Sequence, residues 1–241
     1  MKSIRFGIIL AFCSFLYLYS NGQSSPSANQ ATSVKTDSVI NIYFSKQWKE
    51  LPIYNGRLFR GYEYGIEGHG FYFSSDWQIG NIQYDGIWYN NLPLRYDIYK
   101  DEVMVNHPNN IPIILFGERV QQFHFADLHF FRLKTGIKNE PSAVIYQLLD
   151  DGKIKLLSRR SKIIEENLEN KKVEKKFIDQ HRYYLVKDGK YHLVRNQRSM
   201  LNLLSNRRQE ILKDLRKNNI RFKKDREKAI IHIADFYNKS H

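Results

Sequence analysis

Apolar positions recur along this chain with three different spacings, and each spacing predicts a different element. From about Ile40 to Arg195 they alternate with polar ones in short bursts, as in Ile79-Gly80-Asn81-Ile82-Gln83-Tyr84, Leu94-Arg95-Tyr96-Asp97-Ile98-Tyr99 and Val120-Gln121-Gln122-Phe123-His124-Phe125. Alternation sends successive side chains to opposite faces, the signature of a half-buried strand. The bursts are punctuated by turn formers. Asp85-Gly86 and Asp151-Gly152 predict tight hairpins, because glycine accepts the positive φ such turns need, and His107-Pro108-Asn109-Asn110 predicts a longer turn. The strongest local signal is Tyr183-Tyr184-Leu185-Val186 and Tyr191-His192-Leu193-Val194 around Asp188-Gly189, a hairpin. Residues 158–180 carry mixed charge and suit either a solvated helix or a long hairpin, the hairpin being favoured.

After Arg195 the spacing becomes helical. Met200, Leu201, Leu203, Leu204, Ile211, Leu212 and Leu215 predict helix with a bend near Ser205-Asn206, started by Asn196 or Ser199 and stopped by Asn218-Asn219. Asp225 caps a last helix with the stripe Ala229, Ile230, Ile233, Phe236 and Tyr237. The third spacing is no spacing at all: Phe6 to Tyr19 is an uncharged run of 14 residues behind Lys2 and Arg5, ending in Ser20-Asn21-Gly22. As a helix it rises about 21 Å against a ~30 Å hydrocarbon core, so it reads as a cleaved export signal rather than a span.

The expected organisation is therefore a signal peptide over 1–22, a disordered spacer over 23–38, an antiparallel β-rich domain over 39–195, and a basic α-helical segment over 196–241 that packs on the sheet. The fold class is α+β: a meander of hairpins followed by two or three C-terminal α-helices. A transmembrane barrel is the rival, and the helical, basic C-terminus argues against it, since barrels normally close with a strand.

Composition adds two facts. Cys13, the single cysteine, leaves with the signal, so the mature chain has no disulfide, thiolate ligand or cysteine nucleophile. Charge is divided unevenly: residues 23–152 carry 11 basic and 14 acidic groups, and residues 153–241 carry 25 and 11. Arg207, Arg208, Arg216, Lys217, Arg221, Lys223 and Lys224 are the candidate contacts for an anionic partner such as an acidic glycan or lipopolysaccharide. Nucleic acid ranks last, because export removes the chain from most of it. The same cations also suit the wet faces of amphipathic helices, or helices lying on the acidic half of the chain.

Candidate chemistry is sparse. His124, Asp127 and His129 are the nearest approach to a metal or acid/base cluster, but a separation of five puts the rings on opposite strand faces unless a turn falls at Ala126-Asp127. Gly65-Ile66-Glu67-Gly68-His69-Gly70 lacks the order of a nucleotide cradle and reads as a flexible loop, with Glu67 and His69 as a conceivable acid/base pair. Asp97, Asp101, Glu102, Asp150 and Asp151 read as turn formers, and Trp48, Trp77 and Trp88 as core, with a minority left to stack on sugar. There is no Gly-x-Ser-x-Gly and no His-Glu-x-x-His. No metal and no cofactor is expected.

The strings Leu94 to Glu102, Glu118 to Phe123, Phe130-Phe131, Tyr146 to Lys153, Tyr183 to Val194, and Phe222-Lys223-Lys224-Asp225-Arg226-Glu227 through Phe236-Tyr237 resemble, in that order, a broad set of exported proteins of Bacteroidota to which no activity is assigned. The resemblance spans roughly residues 54–238. It implies export and this fold, and transfers no site residue. The expected function is a non-catalytic cell-envelope or partner-binding protein located in the periplasm, at the outer membrane or outside the cell. A polyanion- or glycan-binding module and an envelope hydrolase are the alternatives.

Overall fold

The computed structural model describes residues 50–134, 136–137, 141–169 and 172–239. The signal and spacer expected over 1–38 lie outside them. Fourteen strands precede three helices among the described residues. The strands are β1 (Arg57–Leu58), β2 (Ile66–Glu67), β3 (Gln78–Tyr84), β4 (Ile87–Asp97), β5 (Glu102–His107), β6 (Ile111–Ile114), β7 (Val120–Phe125), β8 (Leu128–Leu133), β9 (Val144–Asp150), β10 (Lys155–Arg159), β11 (Lys162–Glu169), β12 (Lys172–Asp179), β13 (Arg182–Lys187) and β14 (Lys190–Leu193). The helices are α1 (Gln197–Leu203), α2 (Arg208–Lys217) and α3 (Arg226–Lys239).

Eleven strands form one antiparallel sheet in the order β1-β6-β5-β4-β3-β7-β8-β9-β10-β13-β14. Hairpins lay β3 to β6 outward in one direction. The chain then returns to the free side of β3 and meanders from β7 to β10, so β3 is the seam. The mixed-charge stretch leaves this sheet as the β11–β12 hairpin, and β12 also pairs in parallel with β2 through Lys175↔Ile66 and Lys176↔Glu67. That short parallel pairing departs from the expected run of hairpins, and only tertiary contact creates it.

Two of the predicted turns follow their chemistry. Asp85 and Gly86 take φ of 53° and 78°, Asp188 and Gly189 take 50° and 70°, and both join strands through two residues. Asp151-Gly152 does not. Gly152 has no positive φ, and the connection from β9 to β10 runs over four residues, Asp151 to Ile154. Glycine is needed there for space, because a Cβ would sit 2.5 Å from Cγ of Asn238. The Asn238 amide donates to Asp150 Oδ2 (2.8 Å) and Ile154 O (2.9 Å), fastening the end of α3 to this loop.

One face of the sheet is buried along its length. Ile82 and Tyr84, Phe123, Phe130, Ile145, Leu156 and Leu185 all lie on it and are sealed from solvent. At the β9–β14 end the cover is helical: Ile211, Leu215, Ala229, Ile230 and Ile233 pack with Leu156, Leu185 and Val194. The described residues from 50 to 239 form one compact unit. The expected caps are in place, with Asn196 and Ser199 in a reciprocal capping box on α1 and Asp225 Oδ1 accepting the Lys228 N–H (3.1 Å). No helix among the described residues is long and apolar enough to cross a membrane.

Candidate functional site

The predicted cations do not form one set. Arg207 turns inward, pairing with Glu210 through Nε (3.1 Å) and lying 5.4 Å over the Phe236 ring. Arg208 donates to Asn202 Oδ1 (3.1 Å). Arg216, Lys217, Arg221, Lys223 and Lys224 are exposed around the C-terminal end of α2 and the link to α3, with no ion pair among the described residues. Lys213 lies on the same outer side of α2, since Ile211 and Leu215 define the inner side and a helix turns 100° per residue. Its helical spacing made it as legible as its neighbours. Arg216 and Lys217 also stand where the macrodipole is negative, which favours cations with or without a ligand.

The helices dock through their apolar stripe and, among the described residues, one ion pair of reversed sign, an acid on the helix against a base on the sheet side. Arg160, between β10 and β11, is buried and grips Glu227 in the first turn of α3 through both terminal nitrogens (2.5 and 2.8 Å) while Nε donates to Gln147 (2.6 Å). Tyr183 also donates to Glu227 (2.6 Å). Burial opposes ionisation of Glu227, but the hydrogen bonds from Arg160 and Tyr183 outweigh it, so its pKa lies below the ordinary value.

The other carboxylates are tied in a similar way. Asp97, which ends β4, is fully buried; its Oδ2 accepts the Tyr62 hydroxyl and its Oδ1 accepts the N–H groups of Tyr99 and Lys100 (both 3.0 Å). Asp101 takes the αL position of that turn (φ 58°) and accepts the Tyr96 hydroxyl at 2.7 Å. Burial raises the pKa of both against those hydrogen bonds. Both hold the turn after β4, Asp97 from inside the fold and Asp101 from a half-buried position, with 27% of its side chain open to solvent.

The glycine-rich segment is tied down. Gly65 and Gly68 at φ +84° and +85° bracket β2, Glu67 pairs with Lys176 (2.6 Å), the His69 carbonyl accepts Lys162 Nζ (2.8 Å), and the His69 ring stacks on Phe71 with centroids 5.8 Å apart, so the Glu67 carboxylate and the His69 ring have separate neighbours. Beside it lies a cleft of about 590 Å³ lined by Tyr62, Tyr99, Lys100, Ile164, Glu166 and Lys175 among others. Two of its lining side chains, Tyr62 and Tyr99, are aromatic, and both stand edge-on to Phe177 at 5.0 and 5.4 Å. Nothing in the local sequence signals this cleft, because its walls come from three distant segments.

His124 and His129 do meet. The turn falls at Ala126-Asp127, Ala126 taking φ 48°, and the two histidines become direct cross-strand partners with ring centroids 6.3 Å apart. Asp127 is exposed at the turn. Among the described residues no group of three or more His, Cys, Asp or Glu side chains is placed to hold a metal. Burial, and secondarily the neighbouring His124, lowers the pKa of His129.

Comparison of the chain with protein-family models, curated proteins and solved structures finds no match to any of them.

Proposed function

We propose that this chain is exported and serves in the cell envelope, or outside the cell, as a non-catalytic partner-binding protein. One contrast carries the reading. Carboxylates with the burial of acid/base groups are engaged in holding turns and helices, whereas large apolar side chains stand in solvent on the small sheet and its approach. Leu168 and Val173, opposite each other near the hairpin tip, are 77% and 59% exposed, and Tyr64 is fully exposed. Exposed apolar groups clustered near a hairpin tip favour contact with a partner. The cationic start, the short apolar run and the small-polar exit support export.

An intact mass of native material tests this. The expected result is a chain beginning at Gln23 in the envelope fraction or the medium; Met1 retained in a soluble cytosolic fraction would overturn it.

A second reading is an anionic polymer, such as an acidic glycan or lipopolysaccharide, held by the cations at the end of α2. It is favoured by Arg216, Lys217, Arg221, Lys223 and Lys224 being exposed together.

A further inference from the structure

Among the described residues, the second face of the large sheet is covered at both ends and open in the middle. Over β4 to β6, Met104 and Ile114 are buried with Phe59, Tyr62, Phe71 and Trp77, and the Arg95 guanidinium lies 4.0 Å over Trp77. Over β8 to β13, Val144, Tyr146, Leu157 and Tyr184 are buried with Leu133 and Ile137. Between them, on β4, β3, β7 and β8, lies a window four strands wide, about 14 Å across at ~4.8 Å per strand.

The side chains in this window are Asn81, Gln83, Trp88, Gln122, His124 and His129. They form two fixed relays. The backbone N–H of Asn91 donates to Asn81 Oδ1 (2.8 Å), which turns the Asn81 amide nitrogen toward Nε2 of His124 (2.9 Å). The His129 Nε2–H donates to Gln122 Oε1 (2.9 Å), and the Gln122 amide donates to Gln83 Oε1 (2.9 Å). Each carboxamide is thereby oriented while keeping donor and acceptor capacity unused, since it has two N–H groups and two lone pairs. Trp88 stands beside them, 38% exposed and 5.8 Å from the His124 ring, and Ile79 flanks the row at 63% exposure.

We propose that this window binds an uncharged polysaccharide. Among the described residues it contains no formal charge, in a chain of which 26% is charged, so an anionic polymer finds no cation among them. A bilayer needs a continuous apolar surface and a protein interface an apolar centre, and Trp88 and Ile79 are too few for either. What remains complementary is a ligand that is neutral, rich in paired donors and acceptors, and flat enough on one apolar side to lie on an indole. Sugar hydroxyls and ring C–H faces have that chemistry, and oriented carboxamides lose little freedom in meeting them. The inference goes beyond the partner-binding reading, which rests on Leu168, Val173 and Tyr64, by assigning a ligand to a different surface.

Native gels cast with neutral polysaccharides (a β-glucan, a mannan, dextran and starch) or with heparin test it. Retardation by at least one neutral polymer is expected, weakened about tenfold in Trp88→Ala, the loss typical of an aromatic anchor. The paired variant Gln83→Ala/Gln122→Ala should weaken it several-fold, and it decides the matter if Trp88→Ala loses its cooperative melt. Absence of retardation in every neutral gel, retardation in heparin alone, unchanged retardation in the deciding variant, or a self-association abolished by Trp88→Ala would each overturn the proposal. A chain that is cleaved and exported yet unretarded leaves partner binding standing and removes only the glycan.

Discussion

At Gly70 a single missing methyl group organises the turn after β4. A Cβ there would lie 2.2 Å from the Tyr62 hydroxyl, and that hydroxyl is the side-chain donor to the buried Asp97. Displacing it leaves a carboxylate in the interior short of one partner, which is expensive because the group has no water to return to. Gly70→Ala is therefore expected to destabilise the protein by about 1–3 kcal/mol in urea unfolding. Tyr62→Phe should destabilise by a similar amount, and the double variant by less than the sum, since both act through Asp97. Simple addition would mean that the two residues work through different contacts. The sequence shows that Gly70 sits in a glycine-rich stretch, and nothing in that stretch shows Tyr62 approaching it.

Among the elements, α3 has the most to hold it and the clearest titration. Breaking its pair with Arg160 leaves a buried guanidinium uncompensated; since 34% of the Glu227 side chain remains open, Glu227→Gln should destabilise by about 2–3 kcal/mol at pH 7, below the range for a fully buried pair. The folded pKa of Glu227 is depressed, so its contribution is complete above the unfolded carboxylate value of about 4.3 and is lost as pH falls through the lower folded value. The gap in urea midpoint between wild type and Glu227→Gln should thus stay level from pH 7 to about 5 and begin to shrink below about pH 4, closing as pH falls through the depressed folded value. A gap that persists unchanged at pH 3 would show that Arg160 does not depend on the Glu227 charge. Most element types were readable beforehand, including the β13–β14 hairpin, the bend before α2 and the caps of α1 and α3, because alternation, Asp-Gly pairs and capping residues act within a few positions. The β9–β10 connection was misread for the complementary reason: Gly152 answers to Asn238, 86 residues away.

For the whole molecule the governing feature is the distribution of charge against the distribution of contact. The basic half of the chain includes Arg160, Lys162, Lys175 and Arg207, which are engaged with oxygen partners, so the net charge overstates the free cations. If the second functional reading holds, heparin retention should fall when Arg216, Lys217, Lys223 and Lys224 are neutralised together. It should hardly change for Arg207→Gln, whose guanidinium already serves Glu210 and Phe236. Counterion release makes the retention of the wild type steeply salt-dependent, and equal loss in both variants would mean that net charge rather than this cluster is read.

The sequence by itself determined the α+β class, the strand and helix types, most of the turns and the surplus of cations, since each depends on residues a few places apart. Only the tertiary structure decided which cations are free, that two histidines five positions apart share a face, that Asp97 is interior, and that an uncharged window stays open between two covered ends of the sheet. These depend on register and on which distant segment covers which face. Pattern along a chain carries no information about either until the backbone hydrogen bonds and the burial of apolar surface have selected one pairing.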